Sequence, residues 1–172
     1  GVGSFAVQIA KAFDAEVTAV CSTRNVAQAR ALGADHVIDY TQADFTQSGQ
    51  QYDLILAANG YHSLGAYKRA LAPGGVYVMA GGKTRQIFEA MLLGAWYSRG
   101  GDKKLTNVMA HASVPDLRVL NEWIEAGKLK PVIDRCYPLH QTADALRYLG
   151  EGHARGKIII TVTDDAATGR SV

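Results

Sequence analysis

The start of the chain contains groups that could bind the phosphates of a nucleotide. Gly1, Val2 and Gly3 begin a pattern in which apolar residues recur at helical spacing as far as Phe13. The N–H groups at a helix start are exposed and the helix dipole is positive there, so this end attracts a pyrophosphate. Glycine would also let the backbone approach the phosphates closely. The motif is short, however, and a glycine-rich chain end without any ligand would look the same.

About twenty residues further along, the chain places groups suited to a phosphate monoester. Ser22, Thr23 and Arg24 follow the β-branched segment EVTAVC, where a site selective for NAD has an acidic residue that binds the ribose 2′-hydroxyl. Two hydroxyl donors and a planar guanidinium fork suit a 2′-phosphate instead. The sequence therefore favours NADPH over NADH as cofactor. The same residues could simply cap the next helix, and the two roles are compatible.

Three further candidates follow predicted strands. Tyr40 comes after the segment HVID and could pack against adenine or lie near the same phosphate, although such tyrosines are as often simple packing. Asn59 and Gly81 follow two apolar strands, at the carboxyl ends where open parallel sheets bind ligands. Glycine there lets a flat ring lie against the main chain, or else it forms a tight turn.

The elements that would position these residues alternate between apolar strands and helices. Strands are predicted at 16–21, 36–39, 53–58, 76–80 and 105–110. Helices are predicted at 2–13, 63–71, 86–97 and 114–126, and a further helix follows the turn and cap residues at 22–25 and continues to Leu32. Alternation without tight hairpins indicates an α/β fold, a doubly wound parallel sheet of the Rossmann type.

The alternation changes near Lys128. An extended segment, a helix and a strand are predicted at 131–139, 142–149 and 157–163. We therefore expect a nucleotide-binding domain at 1–127, the beginning of a second structural unit at 128–163 and a flexible tail at 164–172.

Composition excludes several function classes. With 18 Lys+Arg against 16 Asp+Glu the net charge is +2, which gives no electrostatic case for nucleic acid or a membrane surface. The apolar stretch at 87–97 is shorter than the roughly 20 residues that a membrane span needs. Cys21 and Cys136 lie far apart and are expected to be buried or half-buried free thiols in a reducing compartment, hence the cytoplasm.

The chain also lacks the minimal motifs of other chemistries. Its five histidines show no ligand spacing, so no metal site is predicted in this segment. There is no G-x-S-x-G elbow and no G-x-x-x-x-G-K-[ST] loop, so hydrolase and kinase-type functions are not supported.

The whole pattern resembles the cofactor-binding half of the medium-chain dehydrogenase/reductase superfamily, specifically its zinc-independent, quinone-oxidoreductase-like branch. The matching segments are GVGSFAVQIAKAF at 1–13, ALGADHVIDYTQADF at 31–45, YDLILAANG at 52–60, LAPGGVYVMAGG at 71–82 and the segment 130–162. The resemblance implies that residues 1–3 contact the pyrophosphate and residues 22–24 the 2′-phosphate. It also makes Tyr40 a cofactor contact, and places Asn59 and Gly81 near the ribose and nicotinamide.

Two departures from the family pattern matter. Asp14 stands where the family often has glycine, and aspartate tolerates the left-handed conformation. Family members also begin with a substrate-binding domain and the first strand of the nucleotide fold, which would precede Gly1. We therefore expect a fragment that is inactive alone, with the second and fourth strands lacking their shared partner.

The resemblance implies an NADPH-dependent oxidoreductase that transfers hydride to a quinone, enone or other activated carbonyl compound. The cofactor supplies the chemistry and the protein aligns and shields it, so no catalytic residue is named. The expected partners are a small-molecule substrate and a second identical subunit, paired along the strand at 105–110. Two alternatives remain open: a zinc-dependent alcohol dehydrogenase of the same superfamily, and an NADPH-binding module without turnover.

Overall fold

A computed structural model of the chain describes residues 1–81, 102–108, 110–111 and 113–162. The helix predicted at 86–97 and the tail at 164–172 lie outside the described residues. The helices are α1 (Val2–Ala12), α2 (Val26–Ala31), α3 (Leu64–Ala70), α4 (Val114–Glu125) and α5 (Thr142–Gly150). The strands are β1 (Thr18–Cys21), β2 (His36–Asp39), β3 (Tyr52–Ala57), β4 (Leu71–Met79), β5 (Lys104–Asn107), β6 (Ile133–Pro138) and β7 (Lys157–Thr161).

All strand pairs among the described residues are parallel, as the strand–helix alternation predicted for the part of the chain before Lys128. The pairs form three sheets, β1–β2, β3–β4–β5 and β6–β7. Within the described ranges β1 and β3 are not paired with each other. β5 lies at one edge of its sheet. The strand predicted at 105–110, along which two subunits are expected to pair, therefore overlaps an edge strand.

The core lies where α3 covers β3 and β4. Leu71, Tyr77 and Met79 of β4 are almost completely buried, and Tyr67 and Ala70 of α3 pack against them. Partly buried residues of the neighbouring sheet also contact this cluster, namely Val20 of β1 and Ile38 of β2. The two sheets therefore share one apolar core.

Local turns follow the predicted chemistry. Asp14 has φ +56°, so an aspartate occupies the left-handed position after α1 that the family often gives to glycine. The polar turn predicted at 22–25 is present as a 3₁₀ turn (Thr23–Asn25) before α2, in which the Asn25 N–H donates to the Ser22 carbonyl at 2.8 Å in an i→i+3 pattern.

The predicted start of β4 was wrong. The proline and glycines at 73–75 indicated a break before residue 76, yet the strand begins at Leu71, which pairs with Tyr52. The register between β3 and β4 then shifts, and a bulge accommodates these residues. Gly75 is needed there, since a Cβ would lie 2.9 Å from the Ala72 carbonyl oxygen.

The segment after Gly127 packs against α1. Buried Gln8 donates from Nε2 to the Lys130 carbonyl at 3.1 Å and accepts the Lys130 N–H at 2.8 Å. The two bonds satisfy a polar group that would otherwise be costly to bury.

The domain boundary predicted at 127/128 stays a prediction. Both cysteines are free thiols. Cys136 of β6 is exposed, so the prediction that it is buried or half-buried was wrong. None of the helices in the described ranges has the length and apolarity needed to cross a membrane.

Candidate functional site

The carboxyl ends of β1 and β2 lie side by side. The parallel register sets Cys21 opposite Asp39, and the Tyr40 N–H donates to the Cys21 carbonyl at 3.0 Å. Ser22 and Tyr40 are therefore the first residues beyond two adjacent strand ends. This arrangement brings together two of the sequence-predicted groups.

The glycine turn occupies the N-terminus of α1, as predicted. Gly1 is the N-cap, no side chain caps the helix, and Gly1, Val2 and Gly3 are all exposed. No described atom lies within 4 Å of where a Cβ would stand at either glycine. The surface beside the two glycines is thus unobstructed, which is what the close approach of a pyrophosphate requires.

Residues 22–24 form a cluster of hydrogen-bonding groups after β1. The Thr23 hydroxyl lies 3.1 Å from the Thr41 hydroxyl, and Ser22 Oγ accepts a bond from Asn25 Nδ2 at 3.4 Å. Arg24 is exposed. The serine acts partly as a local turn residue, while the arginine guanidinium points to the molecular surface.

Asp39 is a site residue that sequence reasoning missed. Its carboxylate accepts the backbone N–H of Thr41 at 2.9 Å and the Thr41 hydroxyl at 2.8 Å. The pKa of the Asp39 carboxyl is lowered, first by the Thr23 hydroxyl and then by Thr41, with burial opposing. The Thr23 hydroxyl has one proton and is already engaged by the group that Thr41 and Asp39 form. The predicted pair of hydroxyl donors is therefore weakened by an acid from the neighbouring strand.

An aromatic pair lies beyond β2 and β3. The rings of Tyr40 and Tyr61 have centroids 5.5 Å apart, and both side chains are about half exposed. The backbone N–H groups of Tyr61 and His62 donate to the hydroxyl of buried Tyr67, which fixes this loop. Tyr61 was not predicted; its one sequence signal is an aromatic residue directly after an Asn-Gly turn. Two accessible rings could pack against adenine.

Asn59 and Gly81 stand at the carboxyl ends of β3 and β4. Asn59 is exposed in the turn after β3. A Cβ at Gly81 would lie 2.8 Å from the Ala58 carbonyl oxygen, so only glycine fits where the two strand ends meet. Among the described residues no hydrogen bond joins Asn59 or Gly81 to residues 22–24.

Taken together, these groups match the parts of a dinucleotide. Open helix N–H groups suit a pyrophosphate, Arg24 suits a phosphate monoester and the tyrosine pair suits a purine. Elsewhere, a cavity of about 540 Å³ lies between α1, the end of α2 and residues 127–130, and it contains none of the candidates. In the parts of the chain that the structure describes, no three His, Cys, Asp or Glu side chains group closely enough to hold a metal.

Comparison with known proteins gives consistent family matches. A family model described as zinc-binding dehydrogenase matches residues 32–160. The chain is 33% identical to a chloroplastic quinone-oxidoreductase homolog of Spinacia oleracea, over 93% of this chain and 49% of the relative. It is 32% identical to a trans-enoyl reductase of Aspergillus terreus (95% and 49%) and to the human mitochondrial NAD(P)H oxidoreductase RTN4IP1 (94% and 46%).

Solved structures agree. The chain superposes on the quinone oxidoreductase of Coxiella burnetii with a TM-score of 0.76 and 25% identity, covering 95% of this chain and 50% of that one. An NAD-dependent alcohol dehydrogenase gives a TM-score of 0.71 and 27% identity, with 95% and 48% coverage. The chain thus spans about half the length of the proteins that it matches.

Proposed function

Because the chain belongs to the zinc-binding dehydrogenase family of the medium-chain dehydrogenase/reductase superfamily, we propose that the whole protein is an NADPH-dependent oxidoreductase. It transfers a hydride from NADPH to a quinone, enone or other activated carbonyl compound. The relatives' names support this class of substrate, since they include quinone-oxidoreductase homologs and a trans-enoyl reductase.

One observation supports NADPH over NADH: residues 22–24, which follow β1, include a guanidinium and no carboxylate. Arg24 is exposed there, and its planar guanidinium has the donor geometry of a bidentate bond with a phosphate. The acid beside this group, Asp39, belongs to β2 and already accepts bonds from Thr41. We therefore assign the 2′-phosphate to Arg24, with Ser22 and Thr23 around it.

The other candidates receive roles along the cofactor. The N–H groups of Gly1, Val2 and Gly3 would bind the pyrophosphate, and Tyr40 would pack against adenine. Asn59 and Gly81 would lie toward the ribose and nicotinamide. NADPH supplies the hydride when bound, and these residues hold it in place and away from water.

Oligomeric state and compartment are part of the same proposal. A homodimer would pair along β5, which lies at the edge of its sheet in the described part of the chain. We expect the cytoplasm, although relatives include chloroplastic and mitochondrial proteins.

A zinc-dependent alcohol dehydrogenase is the second candidate. The family description and the likeness to an NAD-dependent alcohol dehydrogenase favour it. Metal analysis of the intact protein separates the two: stoichiometric zinc needed for turnover would favour the alcohol dehydrogenase.

The decisive experiment uses the intact gene product. NADPH oxidation is followed with a panel of quinones, enones and aldehydes, and the dissociation constants of NADPH and NADH are measured. Arg24→Ala should weaken NADPH about 10- to 100-fold, because a charge-assisted bond to phosphate is lost, and leave NADH unchanged.

Arg30→Ala is the matched control, since Arg30 is an exposed arginine in the last turn of α2. An equal loss for both cofactors in Arg24→Ala would overturn the phosphate assignment. Tight NADPH binding without oxidation of any substrate class would favour a binding module instead.

A further inference from the structure

A buried hydroxyl supports the loop that follows β3. Tyr67 of α3 is 3% exposed, and its hydroxyl accepts the backbone N–H groups of Tyr61 at 3.2 Å and of His62 at 3.4 Å. The Tyr67 ring belongs to the close-packed apolar core, so it cannot follow the loop if the loop moves outward. The hydroxyl is therefore a fixed acceptor beneath two successive amides of a loop at the surface.

The loop lies directly on this hydroxyl. A Cβ at Gly60 would lie 3.2 Å from the Tyr67 hydroxyl oxygen, so a side chain there would force its neighbours to shift. Below the loop, the rings of Tyr67 and Tyr77 are stacked with centroids 4.6 Å apart, and Tyr77 is 2% exposed. The stacked and buried rings keep the Tyr67 hydroxyl in one place under the loop.

The same loop presents the Tyr61 ring to the group that suits a purine. The ring centroid of Tyr61 is 5.5 Å from that of Tyr40, which follows β2, and 4.1 Å from that of His62. His62 Nε2 in turn lies 3.3 Å from Asp44 Oδ1, so the loop also contacts the segment after β2. The position of the Tyr61 ring relative to Tyr40 therefore depends on the backbone that Tyr67 holds.

Loss of the Tyr67 hydroxyl would leave both amides without their acceptor. An N–H without a partner is costly where water cannot reach it, and these bonds lie in a partly buried place. The loop would then move until water could reach its amides. Phenylalanine at this position has the same ring, so the change would act on the loop and leave the packing of the core in place.

We propose that Tyr67 is a positioning residue for cofactor binding: its hydroxyl holds the Tyr61 ring where Tyr61 and Tyr40 together can pack against adenine. The inference rests on the proposed dinucleotide site. Tyr67 is buried and acts through the loop backbone. NADPH and NADH have the same adenine, so the Tyr67 hydroxyl strengthens the binding of both cofactors equally and does not select between them.

The test compares Tyr67→Phe with Tyr77→Phe in the intact protein. Each substitution removes one hydroxyl from the same buried ring stack, but the loop amides of Tyr61 and His62 donate to Tyr67. Tyr67→Phe should raise the dissociation constants of NADPH and NADH by the same factor, about 3- to 10-fold. The KM for NADPH should rise with kcat unchanged, because adenine is remote from the ring that transfers hydride. Tyr77→Phe should leave both dissociation constants unchanged.

Amide hydrogen exchange reports the loop without any cofactor. In Tyr67→Phe the amides of Tyr61 and His62 should exchange about tenfold faster relative to the amides of β4, because their acceptor is gone. In Tyr77→Phe the loop amides should keep this ratio. A general loss of stability would instead accelerate exchange in the loop and in β4 together.

Several results would overturn the inference. Unchanged dissociation constants in Tyr67→Phe would show that the loop does not position the cofactor, even if its amides exchange faster. Equal weakening by Tyr67→Phe and Tyr77→Phe would show that the hydroxyl is merely structural, and weakening of NADPH alone would contradict a role at adenine. In each of these cases a selective loss of NADPH in Arg24→Ala would leave the NADPH site standing. If the wild-type protein binds neither dinucleotide, the proposed function fails and the inference fails with it.

Discussion

The two sheets of the nucleotide-binding part are stabilised in different ways. In β4, Leu71, Tyr77 and Met79 are 0%, 2% and 4% exposed, whereas β1 and β2 contain no fully buried residue. The candidate phosphate ligands follow the less buried sheet. Apolar burial therefore stabilises one sheet while the other presents the site, so binding and stability should respond to different substitutions.

Polar contacts fix the ends of the less buried sheet. Lys11 of α1 contacts Asp35 at 2.8 Å, and the Val17 N–H donates to the same carboxylate at 2.7 Å. Asp39 and Thr41 form the corresponding contact at the other end. Exposed ion pairs and hydrogen bonds contribute little free energy each, but they fix geometry. The site edge is therefore positioned by directional bonds rather than by packing.

The largest effect should come from opening a cavity in the buried sheet. Leu71→Ala removes a side chain with no exposed surface and should lower the free energy of unfolding by about 2–5 kcal/mol. Val20→Ala in β1 should cost no more than about 1 kcal/mol, because that residue is only partly buried. Denaturant unfolding measures both. Equal losses would show that the sheets are equally dependent on burial.

A smaller loss of stability should result from adding a side chain at the carboxyl end of β4 in the same sheet. Gly81→Ala places a Cβ 2.8 Å from the Ala58 carbonyl oxygen, so the backbone must shift, at a cost of about 1–3 kcal/mol. The control is Gly150→Ala in α5, where a Cβ meets nothing within 4 Å. There alanine should be neutral or stabilising by up to about 1 kcal/mol, as in other helices. Thermal unfolding measures the stability of both variants. An equal loss in Gly81→Ala and Gly150→Ala would contradict the prediction.

The same contrast explains what the sequence could predict. β2 agrees with its prediction at both ends, because a short β-branched segment lies between polar turn residues. The start of β4 was misplaced because its pairing of Leu71 with Tyr52 is a long-range contact that overrides the local proline and glycine signals.

For the candidate site, local sequence signals predicted which residues follow each strand. The parallel register of β1 and β2 then places two of these groups, residues 22–24 and Tyr40, side by side. Tyr61 was missed because its ring neighbour, Tyr40, comes from another part of the chain. Asp39 was missed because only the parallel register of β1 and β2 sets it opposite Cys21, beside the predicted group.

The smallest effect should appear on the site edge and should depend on pH. Hydrogen bonds from Thr23 and Thr41 lower the pKa of Asp39 below its unfolded value of about 3.9. Its ionised form therefore stabilises the fold above that unfolded value, and the contribution is lost as the pH falls through the lower folded pKa. Asp39→Asn keeps the side-chain shape and an acceptor for the Thr41 N–H but lacks this titration. The stability gap between wild type and variant should be present at neutral pH and close in acid, as acid-series denaturant unfolding would measure.

Leu71→Ala is the internal control for that measurement, because its loss arises from apolar burial and should persist as the pH falls. The substitution of Asp39 also acts on the cofactor if Arg24 holds the 2′-phosphate. Removing a negative charge beside Thr23 lessens the repulsion of the phosphate and should improve the NADPH to NADH affinity ratio by about threefold, a screened surface effect. An unchanged NADPH to NADH affinity ratio, together with the expected pH response, would mean that Asp39 only holds the ends of β1 and β2 together. The directional bonds of this sheet would then fix its geometry without selecting the cofactor.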